Sequence, residues 1–168
     1  GNKKFVRGAV HDAIVQELHS FCVSETSSIV SREPEPNAQF SNRRTDLKII
    51  DLEERLEVDV VTSDPVAISY VDKAAKIPGI TAHERAKHKV AKHAKDVNDA
   101  GADFIPVSIE LYGRQDKQVK ELLAPMLGGF MNRQEMDGVH MPQRVEYILN
   151  RLSMATHTHL LLLLEVEK

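Results

Sequence analysis

Two aspartates in apolar, strand-like runs are the residues of this sequence best suited to chemistry. Asp46 lies in the run Arg44-Thr45-Asp46-Leu47-Lys48-Ile49-Ile50, and Asp59 lies thirteen positions later in the run Glu57-Val58-Asp59-Val60-Val61. Aspartate is disfavoured in strands, and a carboxylate among apolar neighbours needs a partner. If the two runs pair as neighbouring strands, both carboxylates lie at one end of a small sheet. Their oxygens would suit Mg²⁺ or Mn²⁺ better than Zn²⁺.

The elements that position these acids follow from the periodicity of apolar residues and from turn signals. Helices are predicted wherever apolar residues recur every three or four positions, and strands wherever β-branched residues cluster. The first half of the chain is predicted to form a helix over 8–22, a strand near 27–32 that Glu33-Pro34 ends, and strands over 44–50 and 56–62. A helix over 81–98 follows, opened by the capping-box form Thr81-Ala82-His83-Glu84, and then a strand over 104–111. The chain closes with a helix after Asp116 and a last helix that opens at Pro142.

This order predicts an α/β (α+β) fold, in which a mixed four-stranded sheet is flanked by helices. The last strand follows a long helix, so we expect it to run parallel to a neighbour through a right-handed crossover. A length of 168 residues indicates a single domain over 1–168. We expect that this domain is cut from a longer polypeptide.

Composition narrows the class of protein. Cys22 is the only cysteine, which excludes a disulfide within the chain and a cysteine-based zinc site, and favours a reducing, intracellular compartment. The five leucines from Leu160 to Leu164 are too few to span a bilayer, so no membrane is expected. The formal net charge of −3 argues weakly against nucleic acid as a partner, but local patches decide.

The helix predicted over 81–98 carries the basic patch. Its cations include Arg85, Lys87, Lys89 and Lys92, with His93 among them. One interpretation is a solvated basic face. The other is a phosphate-facing surface from which one lysine reaches the acidic site, and Lys89 and Lys92 lie close to one turn apart on that helix.

Three short motifs together resemble the restriction-like endonuclease domain of site-specific non-LTR retrotransposons and related reverse-transcriptase polyproteins. They are Arg44-Thr45-Asp46, Asp59-Val60-Val61 and Lys89-Val90-Ala91-Lys92-His93, and the likeness spans roughly residues 8–155. Those domains belong to the PD-(D/E)XK nuclease superfamily, and their lysine has moved from the second acidic strand into the following helix. The resemblance implies a restriction-endonuclease-like sheet, Asp46 and Asp59 as metal ligands, and Lys89 as the relocated lysine, with Lys92 as its alternate.

The sequence departs from the family pattern at three positions. Thr45 replaces a proline, Val61 stands where an ordinary member has its strand lysine, and His93 stands where the family has a tyrosine. Activity therefore depends on Lys89 or Lys92. If both lysines point away from the acids, the domain is a dead nuclease.

The resemblance implies Mg²⁺- or Mn²⁺-dependent hydrolysis of phosphodiester bonds in DNA, for retrotransposon insertion in the nucleus. Lys89 would stabilise negative charge on the phosphate. Arg44 and the cations of the 81–98 helix, His93 included, would bind nucleic acid. A third acid is often recruited in the superfamily, and the candidates are Glu33 at the end of the first strand, Glu17 on the first helix and Glu110 on the last strand.

Two other functional classes stay open. A catalytically degenerate nuclease fold would bind DNA or RNA through its basic helix without cutting. An interaction domain would instead use the leucine-rich C-terminal helix, which is apolar on every side over Leu160 to Leu164 and should be buried in the core or against a second copy. DNA is the expected partner, with RNA and a homodimer as alternatives.

Overall fold

A computed structural model describes residues 2–25, 28–33, 44–50, 55–116, 119 and 141–165 of the chain. Its elements are helix α1 (Asn2–Glu25), strands β1 (Ile29–Arg32), β2 (Leu47–Ile50) and β3 (Arg55–Ser63), helices α2 (Val71–Ala74) and α3 (Ile80–Asp99), strand β4 (Asp103–Glu110) and helix α4 (Met141–Glu165). The predicted four-stranded mixed sheet flanked by helices is confirmed. The helix predicted after Asp116 lies almost wholly outside the described residues.

The four strands lie in the order β1-β2-β3-β4, which is also their order in the chain. β1 pairs with β2 and β2 with β3 in antiparallel fashion, whereas β3 and β4 are parallel. The parallel pair requires a crossover, and α2 and α3 supply it. The expectation of a parallel last strand is therefore confirmed.

The core fills one face of this sheet. α1 contributes Val10, Ile14 and Leu18, whose spacing of four places them on one side of the helix, and α4 contributes Ile148, Leu149 and Leu152. Alternate residues of two strands pack against these helices. They are Leu56, Val58 and Val60 on β3 and Ile105, Val107 and Ile109 on β4. Each fully buried side chain of this kind contributes about 1.5–3 kcal/mol by removal from water.

α3 covers the opposite face, which is lined by the other alternate residues of β3 and β4. His93 stacks on Phe104 at a centroid distance of 5.6 Å, and the Thr81 hydroxyl lies 3.1 Å from the Ser63 hydroxyl. The same stripe of α3 carries Arg85 and Lys89, each one turn from its neighbour. The crossover thus lays a polar and basic helix face over the middle of β3.

One local expectation was wrong, and one short helix was not predicted. α3 begins at Ile80 after Gly79, which has φ of 81° and makes no side-chain cap, so Thr81 does not open a capping box. Its hydroxyl is buried and donates to Glu110 Oε1 at 2.7 Å instead. The short helix α2 also went unpredicted, since four residues are too few to show helical periodicity.

Three broader expectations concern the membrane, the single domain and the C-terminal helix. No helix among the described residues is long and apolar enough to cross a membrane. That the chain is one domain cut from a longer polypeptide stays a prediction. α4 includes Leu160 to Leu164, and Leu161 within it is 61% exposed, so that residue is not buried in the core of the chain, and its burial against a second copy stays a prediction.

Candidate active site

The two aspartates lie opposite each other on neighbouring strands. In the antiparallel pair β2–β3, Leu47 is the partner of Val58, and continuing this register by one residue places Asp46 opposite Asp59. The two side chains do interact, because Asp46 raises the pKa of the Asp59 carboxyl, while the Asp46 N–H donates to the Val58 carbonyl at 3.0 Å. Residues opposite each other in such a pair point to the same face of the sheet. Both carboxylates therefore share one site at the start of β2.

Asp46 is held in place by hydrogen bonds from two elements. Its Oδ2 accepts the backbone N–H of Val60 at 2.5 Å and lies 3.2 Å from Nε2 of His11 on α1. Burial raises the pKa of Asp46, but His11, the Val60 N–H and the charge of Lys89 together outweigh burial and lower that pKa below its usual range. Asp46 is therefore ionised at neutral pH.

Asp59 has the opposite electrostatic character. Its side chain is only 5% exposed, and this burial raises the pKa of the carboxyl. Lys89 lowers the pKa, whereas the neighbouring Asp46 raises it again, and the result is a pKa above the usual range. Two acids with pKa values moved in opposite directions are frequent at functional sites.

Lys89 reaches this pair from the middle of α3. Its Nζ lies 2.5 Å from Asp59 Oδ2, and its side chain is 23% exposed. The contact is a close ion pair, and the hydrogen bond and charge of Lys89 lower the pKa of the Asp59 carboxyl. Val61 lies two residues beyond Asp59 on the same side of β3, so the helix supplies the cation that the strand lacks.

His11 completes the site, and sequence reasoning missed it. Its Nδ1 lies 3.1 Å from Oδ1 of Asp12, while its Nε2 faces Asp46. The hydrogen bond with Asp46 raises the pKa of His11 to about 9, against the opposing effect of its burial. The imidazole is therefore a cation at neutral pH. Its position next to Val10, at the edge of the buried stripe of α1, was the available signal.

The structure does not bring the side chain of any of the three candidate third acids to the site. The Glu33 N–H donates to the Asp46 carbonyl at 2.8 Å, but Glu33 itself is exposed. Glu17 forms an ion pair with Arg151 on α4 at 2.8 Å. Glu110 lies opposite Ser63 in the β3–β4 pair, and Ser63 is four residues beyond Asp59. Glu110 is therefore displaced from Asp59 by about 13 Å along the strand direction.

The predicted nucleic-acid residues divide into exposed and buried groups. Arg44, Lys87 and Lys92 are exposed, and Arg85 is half-buried with its guanidinium carbon 5.8 Å from the centre of the Tyr70 ring. His93 is only 5% exposed because it packs between α3 and β4. The expectation that His93 contributes to an exposed binding face is therefore wrong.

The acidic pair fits a hard divalent cation held in part by other ligands. Within the described ranges no group of three or more His, Cys, Asp or Glu side chains is arranged to enclose a metal ion. Mg²⁺ usually needs only one or two carboxylates and completes its shell with waters and substrate phosphate oxygens. The carboxylate of Asp59 is suited to such a role, in which a metal ion would compete with Lys89 for its Oδ2.

No protein-family model matches the chain, and no curated protein is significantly similar to it. The geometry of the described residues is therefore the basis for any functional conclusion.

Proposed function

We propose that the chain is a metal-dependent endonuclease that hydrolyses phosphodiester bonds, with DNA as its substrate. The observation that carries the proposal is the contact of Lys89 with Asp59 beside Asp46, since Nζ and Oδ2 are 2.5 Å apart. Two carboxylates and a lysine brought together at one site are the groups that phosphoryl-group chemistry needs. A surface for nucleic-acid binding alone would need only the basic face of α3.

Each side chain has a defined part in this mechanism. Asp46 and Asp59 would hold Mg²⁺ or Mn²⁺. When bound, such an ion polarises the phosphoryl oxygen and lowers the pKa of a coordinated water. The Lys89 ammonium lies beside the carboxylates and meets the negative charge that develops on the phosphate. His11 holds Asp46 in its ionised form, which is the form that binds metal.

The order of elements supports the resemblance noted from the motifs. A helix, three antiparallel strands, a crossover helix and a parallel strand present the first acid at the start of β2, the second on β3 and the lysine on α3. On this basis we propose a restriction-like endonuclease of the kind found in retrotransposon polyproteins, which would cut nuclear DNA for insertion. Arg44, Arg85, Lys87 and Lys92 would contact backbone phosphates on either side of the cut.

Cleavage of supercoiled plasmid by the purified chain tests the proposal. We expect nicking in Mn²⁺ or Mg²⁺, none in EDTA, and none by Asp46→Asn. Asp99→Asn is the matched control because Asp99 is an exposed partner of Lys95 on α3, and we expect wild-type nicking. If the wild-type chain cuts no DNA or RNA under these conditions, the proposal of an endonuclease is refuted.

A second candidate is a degenerate nuclease fold that binds nucleic acid without cutting it. The favouring observation is that each carboxylate already faces a cation of the chain, His11 for Asp46 and Lys89 for Asp59. A metal ion must compete with both of these charges. Nucleic-acid binding that persists without cleavage, and that is unaffected by divalent metal, would establish this second function.

A further inference from the structure

The connection between β3 and α3 presents apolar side chains to solvent. In residues 64–79, Val66 is 58% exposed, Ile68 96%, Val71 42% and Ile77 54%. These are four of the eleven exposed large apolar residues in the described part of the chain, and they fall within twelve positions. Single exposed apolar residues are ordinary, but such a concentration marks an interaction surface.

The same connection is held firmly to α3. Asp64 Oδ1 accepts the N–H of Val66 at 3.1 Å, and Lys73 Nζ lies 3.0 Å from Oε1 of Glu84. The Arg85 guanidinium lies over the Tyr70 ring. Ile68 is therefore displayed on a backbone that is anchored on both sides, so little ordering would be needed when it binds a partner.

This surface adjoins the candidate active site. Arg85, which packs on Tyr70, precedes Lys89 by four residues, and one helical turn corresponds to about 6 Å along the axis. That distance is about two nucleotide steps of a duplex strand. The connection contains two acids and two lysines, whose charges cancel, and the adjoining stripe of α3 carries Arg85 and Lys89. A nucleic acid bound at the candidate active site would therefore pass beside the exposed apolar side chains of this connection.

We propose that residues 64–79 form a wedge that places Ile68 against the bases of a nucleic acid next to the cut. This inference rests on the proposed nuclease function and names its substrate class. Apolar side chains that enter a base stack must first unstack it. The free energy of unstacking must be supplied when the side chain enters a continuous duplex, but not where the bases are already unpaired. The preferred substrates are therefore flaps, forks and bulges, cut within a few nucleotides of the junction.

The test compares a forked and a continuous DNA duplex of the same sequence, each with 2-aminopurine beside the junction. Binding and fluorescence are measured in Ca²⁺, and cleavage is measured in Mn²⁺. For the wild-type chain we expect at least about tenfold preference for the fork in both binding and cleavage, with a rise in 2-aminopurine fluorescence. Ile68→Ser should lower the preference to within about threefold and abolish the rise.

Ile29→Ser is the matched control, since Ile29 is 68% exposed on the other edge strand of the sheet, and it should behave as the wild type. Equal preference in wild type and Ile68→Ser overturns the wedge, even if both proteins cleave. A wild-type dimer that Ile68→Ser converts to a monomer also overturns it, because a second copy would then be the occupant. A fork preference in binding that depends on Ile68, without any cleavage, supports the wedge and refutes the nuclease function instead.

Discussion

Removal of the Lys89 charge is the perturbation that tests the site most directly. At 2.5 Å from Asp59 Oδ2, the gross attraction between the two charges is about 7 kcal/mol at the effective dielectric constant of partly buried sites. Most of this is offset by the cost of burying Asp59. The catalytic part is the loss of one donor to the phosphate, which typically lowers turnover by about 10² to 10³. We therefore expect Lys89→Ala to lower turnover by at least about a hundredfold.

The same substitution leaves Asp59 buried without its counter-charge. Breaking a fully buried pair costs about 3–5 kcal/mol, but the 23% exposure of Lys89 lowers this to about 1–3 kcal/mol. The pKa of Asp59 must also rise further, because Lys89 is the group that lowers it. Lys89→Met keeps the aliphatic stem, and the double variant Lys89→Met with Asp59→Asn removes both charges and should recover most of the stability.

Single-turnover cleavage of labelled DNA in Mn²⁺ measures the catalytic effect, and urea unfolding measures the stability. Lys95→Ala is the matched control, since Lys95 pairs with Asp99 at 2.6 Å on the same helix but is exposed. We expect it to change neither rate nor stability by a measurable amount. Wild-type turnover in Lys89→Ala would refute the role given to this lysine and would move it to Lys92, whose alanine variant should then be the inactive one.

Three further predictions follow from the geometry. Asp46→Ala should cost about 1–3 kcal/mol of unfolding free energy by urea denaturation, because the Val60 N–H loses its acceptor, whereas Asp46→Asn keeps an oxygen there and should cost less. Lys87→Ala should reduce the log–log salt slope of DNA binding by about 0.9 for each phosphate that Lys87 neutralises, measured by anisotropy, and an unchanged slope would remove Lys87 from the binding face. The pKa of His11 is raised from 6.5 to about 9 by folding, so its contribution is complete below the lower value and disappears as pH rises through the upper one. Urea unfolding should therefore show a decrease of about 1–3 kcal/mol between those pH values in the wild type and none in His11→Asn.

The sequence was informative where a residue conflicts with its local environment. Asp46 and Asp59 interrupt β-branched runs, and the structure pairs those runs and places the two acids opposite each other. A strand alternates its side chains, so the register of the pair determines whether the two acids meet. Periodicity likewise predicted α1, whereas α3 was expected from a capping box that does not form, and the parallel last strand from the long helix that precedes it.

The sequence was uninformative where the partner comes from a distant element. His11 lies 35 positions before Asp46 and shows no local conflict, since a histidine on a helix is ordinary. His93 looks like one more member of a basic run, and only the packing of α3 on Phe104 shows that it is buried. Thr81 fits a capping box by its spacing, but Glu110 on β4 competes for its hydroxyl. These outcomes depend on tertiary contacts that no window of the sequence contains.

The charges at the site bear on the choice between an enzyme and a binding module. Asp46 and Asp59 alone would repel a phosphate, but His11 and Lys89 bring the formal charge of the four side chains to zero when all are ionised. The chain can therefore admit a phosphate near the acids before any metal contributes. The low pKa of Asp46 preserves one ionised ligand throughout. Two acids whose charges are matched by His11 and Lys89 suit a site that must bind a cation and a polyanion together, whereas a passive docking surface has no need of either acid.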